Sequence, residues 1–251
     1  MRMATIGIFD SGSGGLSVYR ELVKVLPDER YIFFADNAHC PYGEKPVAYI
    51  QDRARAITDI LRGLGADIIV VACNTATAAA IATLRAEYPD MPFIGMEPAV
   101  KPAALGTKSG VIGVLATAGT LKGSKYLKTR GQFEDDVRIV EHVGEGFVEL
   151  VERGILDGPE AEKVVRASVE PLLDEGADIL VLGCTHYPFL RPLIERIAGP
   201  GVQVIDPAPA VARRTVQVLH EQGIPTGEGP FSIDLYYSGT PDSLQRIFRL
   251  L

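Results

Sequence analysis

Ile68-Ile69-Val70-Val71-Ala72-Cys73-Asn74-Thr75 is an unbroken apolar run ending in a cysteine and two small hydrogen-bonding residues. The chain repeats it as Ile179-Leu180-Val181-Leu182-Gly183-Cys184-Thr185-His186, and Gly65-Ala66-Asp67 introduces the first run as Gly176-Ala177-Asp178 introduces the second. Continuous β-branched and leucine residues followed by a helical pattern predict a strand buried on both faces of a parallel sheet. Ligands of such sheets bind beyond the carboxyl ends of the strands. Each cysteine is expected as the last residue of its strand, with a helix N-terminus behind it whose dipole favours a thiolate and an anionic ligand. Two cysteines in equivalent places on two half-chains predict one site built from both halves.

Working outward, Thr5 to Phe9 reads as a buried strand that turns through Asp10-Ser11-Gly12-Ser13-Gly14-Gly15 into a helix to about Leu26. A strand over Arg30 to Phe34, a loop with Cys40-Pro41-Tyr42-Gly43 and a long helix from Pro46 lead to the first cysteine run. An alanine-rich helix from Thr77 to Tyr88 and a strand over Met91 to Met96 follow, closing on Glu97-Pro98-Ala99. The pattern then restarts, with Ile112-Gly113-Val114 echoing Ile6-Gly7-Ile8 and Asp206-Pro207-Ala208 echoing Glu97-Pro98-Ala99. This is an internal duplication. Two helices and the strand around Ile233 to Tyr237 remain after Asp206, so they are expected to return to the first half. The expected fold is α/β: two pseudo-symmetric Rossmann-like lobes with mainly parallel sheets and the site in the cleft between them. One lobe is 1–97 plus 207–251, the other 98–206.

Composition narrows the function. A net charge of −7 without a basic run disfavours nucleic acid or a membrane surface as partner. No apolar stretch approaches a membrane span, and Met1-Arg2-Met3 runs directly into a strand pattern, so no signal peptide is expected. Three cysteines at these spacings make no disulfide framework, which points to a reducing compartment, the cytoplasm. The glycine cluster lacks the third glycine of a dinucleotide loop, where Ser17 stands, and the lysine of a P-loop. It reads as a tight turn needing positive φ, and Asp10 as either a helix cap or a site carboxylate. Cys-x-His in Cys184-Thr185-His186 is no standard zinc spacing, so no metal is expected. Cys40 sits in a loop and is set aside.

The chemistry rests on the rim. Ser11, Asn74, Thr75, Thr117, Thr120 and Thr185 are neutral donors suited to carboxylates. Thiols on opposite sides of a small carboxylate ligand suit proton removal on one face of a carbon and return on the other. His186 is placed to assist one thiol, and Asp10 or Asp36 the other.

These motifs resemble the glutamate racemases nearly end to end. The match includes Asp10-Ser11-Gly12-x-Gly14-Gly15, Asp36 with Pro41-Tyr42-Gly43, Ala72-Cys73-Asn74-Thr75-Ala76, Ala116-Thr117-x-Gly119-Thr120, Gly183-Cys184-Thr185-His186-Tyr187-Pro188 and Tyr236-x-Ser238-Gly239. The resemblance implies a cofactor-independent isomerase that supplies D-glutamate for peptidoglycan. It implies Cys73 and Cys184 as the acid/base pair, working on the D- and L-enantiomer respectively. Asp10, Glu152 and His186 would assist proton transfer. Substrate contacts would come from Asp10, Ser11, Pro41, Tyr42, Gly43, Asn74, Thr75, Thr117, Thr120, Thr185 and His186. It further implies a homodimer. The chain departs from the family at His39, often arginine there, and ahead of Phe147, where His142-Val143-Gly144-Glu145-Gly146 replaces the usual cysteine-proline. The rival readings are a racemase for another acidic substrate, such as aspartate, and a non-catalytic carboxylate-binding protein.

Overall fold

The computed structural model describes residues 3–227 and 229–251; Met1 and Arg2, read above as the run into the first strand, lie outside the described residues. The first half runs β1 (Thr5–Asp10), α1 (Leu16–Val25), β2 (Arg30–Ala35), α2 (Val47–Gly63), β3 (Ile68–Val71), α3 (Asn74–Glu87) and β4 (Phe93–Gly95). After α4 (Val100–Gly106) come β5 (Val111–Ala116), α5 (Ala118–Leu121), α6 (Ser124–Arg130) and β6 (Arg138–Val143). Then follow α7 (Phe147–Arg153), α8 (Pro159–Asp174), β7 (Ile179–Gly183), α9 (Arg191–Ala198) and β8 (Gln203–Ile205). The chain closes with α10 (Ala208–Glu221), β9 (Ser232–Tyr237) and α11 (Asp242–Phe248).

Two sheets form, in the orders β4-β3-β1-β2-β9 and β6-β5-β7-β8. All their pairings are parallel. Read from its other edge, the second sheet repeats the first four strands of the first, and Ile6 pairs with Ile68 as Ile112 pairs with Ile179. The chain is therefore α/β with two parallel-sheet lobes. β9 joins the first sheet at the free edge of β2, Arg30 opposite Ser232.

The duplication extends to its packing chemistry. Gly65 and Gly176 both hold φ at +89°, the left-handed turn that ends a helix before a strand. Asp67 then accepts the backbone N–H of Thr5 at 2.9 Å, while Asp178 accepts those of Lys108 and Ser109 at 2.7 and 2.9 Å. Each aspartate thus satisfies backbone donors at or just before the start of the neighbouring strand. Gly7 and Gly113 are glycine for close approach: a Cβ on Gly7 would stand 3.3 Å from Leu61 of α2, and one on Gly113 3.0 Å from Leu172 of α8.

One apolar core is continuous across the lobes, joining Leu16, Phe33 and Leu219 to Leu115, Phe147, Leu172 and Leu182. Separate layers cover the outer faces, with Ile50, Ile57 and Leu61 of α2 on the first sheet and Val100 and Tyr126 on the second. α4 was not expected, because it buries only Val100 and Ala103 and leaves no periodic stripe. Two short helices follow β5, with Lys122 and Gly123 between them.

The loop between β2 and α2 is fastened by a buried ion pair. Arg53 of α2 donates through Nε and Nη2 to Asp36 at 2.9 and 2.7 Å, and the Tyr42 hydroxyl donates to the same carboxylate. Burial works against the charged form of Asp36, yet Arg53 and Tyr42 outweigh it and hold the carboxyl below its ordinary range. Removing one partner of such a pair strands a buried charge, so Arg53→Met is expected to cost about 3 kcal/mol at neutral pH. A depressed carboxyl stabilises above its unfolded pKa and loses that contribution as pH falls through its folded value. Urea unfolding should therefore show the Arg53→Met penalty at pH 7 and show it shrinking below about pH 4. A penalty independent of pH would mean that packing, not charge, is lost.

Candidate active site

The two cysteine turns meet at the seam between the sheets. Neither thiol is strictly the last strand residue. β3 ends at Val71, and Cys73 caps α3, its Sγ accepting from Ala76 N–H at 3.4 Å. α3 starts at Asn74 and not near Thr77, because the sulfur satisfies one of the donors a helix start leaves open. β7 ends at Gly183, directly before Cys184. A 3-10 turn over Tyr187–Leu190 follows before α9, so the helix-dipole argument holds for Cys73 alone.

Cys184 has a different partner. Its Sγ lies 3.8 Å from His186 Nδ1, and His186 Nε2 lies 2.6 Å from Glu152 Oε1. Burial opposes charge on His186, but its bonds to Cys184 and Glu152 prevail and raise it well above the usual histidine value. Burial would likewise raise the Glu152 carboxyl; the His186 bond and charge instead hold it at about 2. Both shifts favour a carboxylate paired with an imidazolium. Glu152, on α7, also accepts from Ser13 N–H and Ser13 Oγ at 2.8 and 2.9 Å. Ser13 was missed from the sequence; its only signal was its place in the Asp10–Gly15 turn.

Cys73 has different surroundings. Burial, with the nearby Asp10 charge, pushes its thiol up to about 12. It donates to Ser11 Oγ at 3.6 Å. Asp10 is fully buried, and its carboxyl is raised by that burial, with His186, Gly12 and Thr185 partly offsetting it. It does not cap α1, whose N-cap is Gly15 without a side-chain bond. Its oxygens accept from Gly12 N–H and Thr185 Oγ1, both at 2.9 Å, tying the two cysteine-bearing halves together.

The glycines of the first turn are not at positive φ, contrary to expectation. They are needed for approach: a Cβ on Gly14 would stand 2.3 Å from the His186 ring, and one on Gly15 2.6 Å from Asp10 Cβ.

The rim residues assemble as a hydroxyl cluster. Thr75 and Thr117 Oγ1 are 2.8 Å apart, and Thr120 lies 3.3 and 3.0 Å from them. Gly43 packs on Thr117, where a Cβ would approach to 3.1 Å. Pro41, Gly43 and Thr117 line a cavity of about 400 Å³, and Gly43 and Thr75 border another of about 660 Å³. Neither cavity is lined by a thiol; Cys73 and Cys184 lie deeper, 5 % and 7 % exposed. Asn74 is 3 % exposed, yet its side-chain oxygen and nitrogen have no hydrogen-bond partner among the described residues. Leaving such a group unmet costs roughly 1–3 kcal/mol, which a carboxylate or ammonium group of a ligand would recover. Cys40, set aside on sequence, stands against Gly12 beside Glu152 and His186.

Residues 6–215 match the model of the Asp/Glu/hydantoin racemase family. The chain is 47 % identical to the glutamate racemase of Ectopseudomonas mendocina, over 99 % of this chain and 94 % of that one. Its fold is similar to that of glutamate racemase RacE1 from Bacillus anthracis, with TM-score 0.89 and 32 % identity over 100 % of this chain and 94 % of that one. It is also similar to the Escherichia coli glutamate racemase solved with L-glutamate and an activator, with TM-score 0.87 and 34 % identity over 99 % and 95 % of the two chains. The chain therefore belongs to the Asp/Glu/hydantoin racemase family.

Proposed function

We propose that this protein interconverts L- and D-glutamate by two-thiol proton transfer without a cofactor, and so supplies D-glutamate for peptidoglycan. The observation that carries this reading is that the two thiols are chemically unlike. Cys184 faces the His186 imidazole, which Glu152 holds well above the usual histidine value, whereas burial and Asp10 push the Cys73 thiol up. That is the arrangement needed for one direction: Cys184 removes the α-hydrogen of L-glutamate and Cys73 delivers its own from the other face. For the reverse direction the protons start the other way round.

The carbanion-like transition state needs charge stabilisation more than strong bases. In this reading the Asn74 amide, Ser11 and the Thr75–Thr117–Thr120 hydroxyls hold the substrate carboxylates. Thr185 and Gly12 orient Asp10, and Glu152 keeps His186 charged. Pro41, Tyr42 and Gly43 complete the substrate contacts. The lobes are 1–97 with 207–251, and 98–206; the working unit is a cytoplasmic homodimer.

Incubating the protein with L-glutamate or L-aspartate, in EDTA and with no added cofactor, then separating enantiomers by chiral chromatography, tests the reading. Racemic glutamate with little D-aspartate is the expected result. Faster aspartate turnover would make this a racemase of another acidic substrate. Tight glutamate binding without turnover would leave only a carboxylate-binding protein.

A further inference from the structure

Cys40, Glu152 and His186 bring a sulfur, a carboxylate oxygen and an imidazole nitrogen within 4.8 Å of one another. All three face Gly12. A Cβ built on Gly12 would stand 2.5 Å from Glu152 Oε1, 3.0 Å from Cys40 Sγ and 3.3 Å from His186 Nε2, so the glycine keeps the space between the donors clear of side chain. We propose that these three side chains form an inhibitory site for a thiophilic divalent cation, Zn²⁺ first among them.

A thiolate, an imidazole and a carboxylate are the donor types zinc takes, with water in the fourth position. The supporting contacts that orient metal ligands are already in place. Ser13 holds Glu152 Oε1 by two hydrogen bonds, and the close approach of Gly14 fixes the His186 ring. Entry does not require the substrate cleft, because Cys40 and Glu152 also line a separate cavity of about 460 Å³ with Gly239, Thr240 and Ser243. On binding, zinc takes the place of the proton between His186 Nε2 and Glu152 Oε1. That proton and the Cys40 thiol proton pass to solvent. His186, 3.8 Å from Cys184 Sγ, is then held as a metal ligand and is no longer free to serve that thiol. The inhibition rests on the function proposed above; the metal site does not.

Co²⁺ is the probe for the site, added to the reduced full-length protein and followed by its sulfur-to-cobalt absorption in the near ultraviolet, with Zn²⁺ displacing it. One ion per chain is expected. Cys40→Ala and the better volume match Cys40→Ser should each remove the band and weaken Zn²⁺ binding by more than about tenfold. Cys73→Ala should keep both. In the glutamate assay, Zn²⁺ should inhibit the native protein and spare Cys40→Ser, whose metal-free rate is unchanged. A band that survives both Cys40 variants, a band lost in Cys73→Ala, or no cobalt–sulfur band at all would overturn the site. A band that follows Cys40 in a protein without glutamate racemisation would uphold the site and refute the function instead.

Discussion

Cys73→Ala and Cys184→Ala are each expected to lower glutamate racemisation by more than about a thousandfold, towards the upper end of what a positioned acid or base contributes. The α-hydrogen of an amino acid is a very weak acid, and each variant leaves one face of the carbon without any group to take or give a proton. Losing either thiol should therefore be as damaging as losing both. The fold should persist. Cys184 is buried beside a cleft, and trimming it removes a single sulfur atom, at about 1 kcal/mol. Cys73 carries an added cost because it caps α3, about 1 kcal/mol more. Cys73→Ser separates these effects: its hydroxyl restores the cap and nearly the volume, but with a far higher pKa it is a poor substitute in proton transfer. Thermal melting near that of the native protein together with abolished turnover is the expected pair of results. Cys40→Ala, which removes neither of the two proton-carrying thiols, should keep near-native turnover. A Cys73→Ala protein with native rates would remove Cys73 from the chemistry.

Much of this site was legible because a duplicated strand-to-turn run is a one-dimensional signal. Period and composition located β3 and β7, and the repeated glycine-alanine-aspartate located the joints before them. What was not legible depends on tertiary approach. The first-turn glycines were read as backbone devices, whereas Gly14 is there for the ring of His186, far along the chain. The exact place of Cys73 turned on a sulfur cap that propensity does not encode. Ser13 and Cys40 carried no distinguishing pattern, since their partner Glu152 comes from a helix of the other half. The sequence also presents the two thiols as equivalents. Only the folded surroundings, Asp10 and a helix start on one side and the His186–Glu152 pair on the other, make them unlike.

That difference gives the second large effect, in D₂O. Starting from L-glutamate, the first D-glutamate formed is expected to carry deuterium at the α-carbon in nearly every molecule, while the remaining L-glutamate stays almost unlabelled. The reason is the separate origin of the two hydrogens. Cys184 takes the substrate's hydrogen, and any return from the same side puts back that same atom before exchange. The hydrogen delivered to the other face belongs to Cys73, whose thiol has equilibrated with solvent before substrate arrives. The pattern should also invert with the starting enantiomer: from D-glutamate, early L-glutamate carries the label, donated by Cys184, and the D pool is spared. A single base serving both faces predicts something else, because one group would hand the same hydrogen back to either side. It would wash deuterium into both enantiomers together, or carry the original hydrogen across into the product. Mass spectra of enantiomers separated within the first few per cent of reaction distinguish these cases, and equal early labelling of both pools would refute opposed thiols even if both cysteines proved essential.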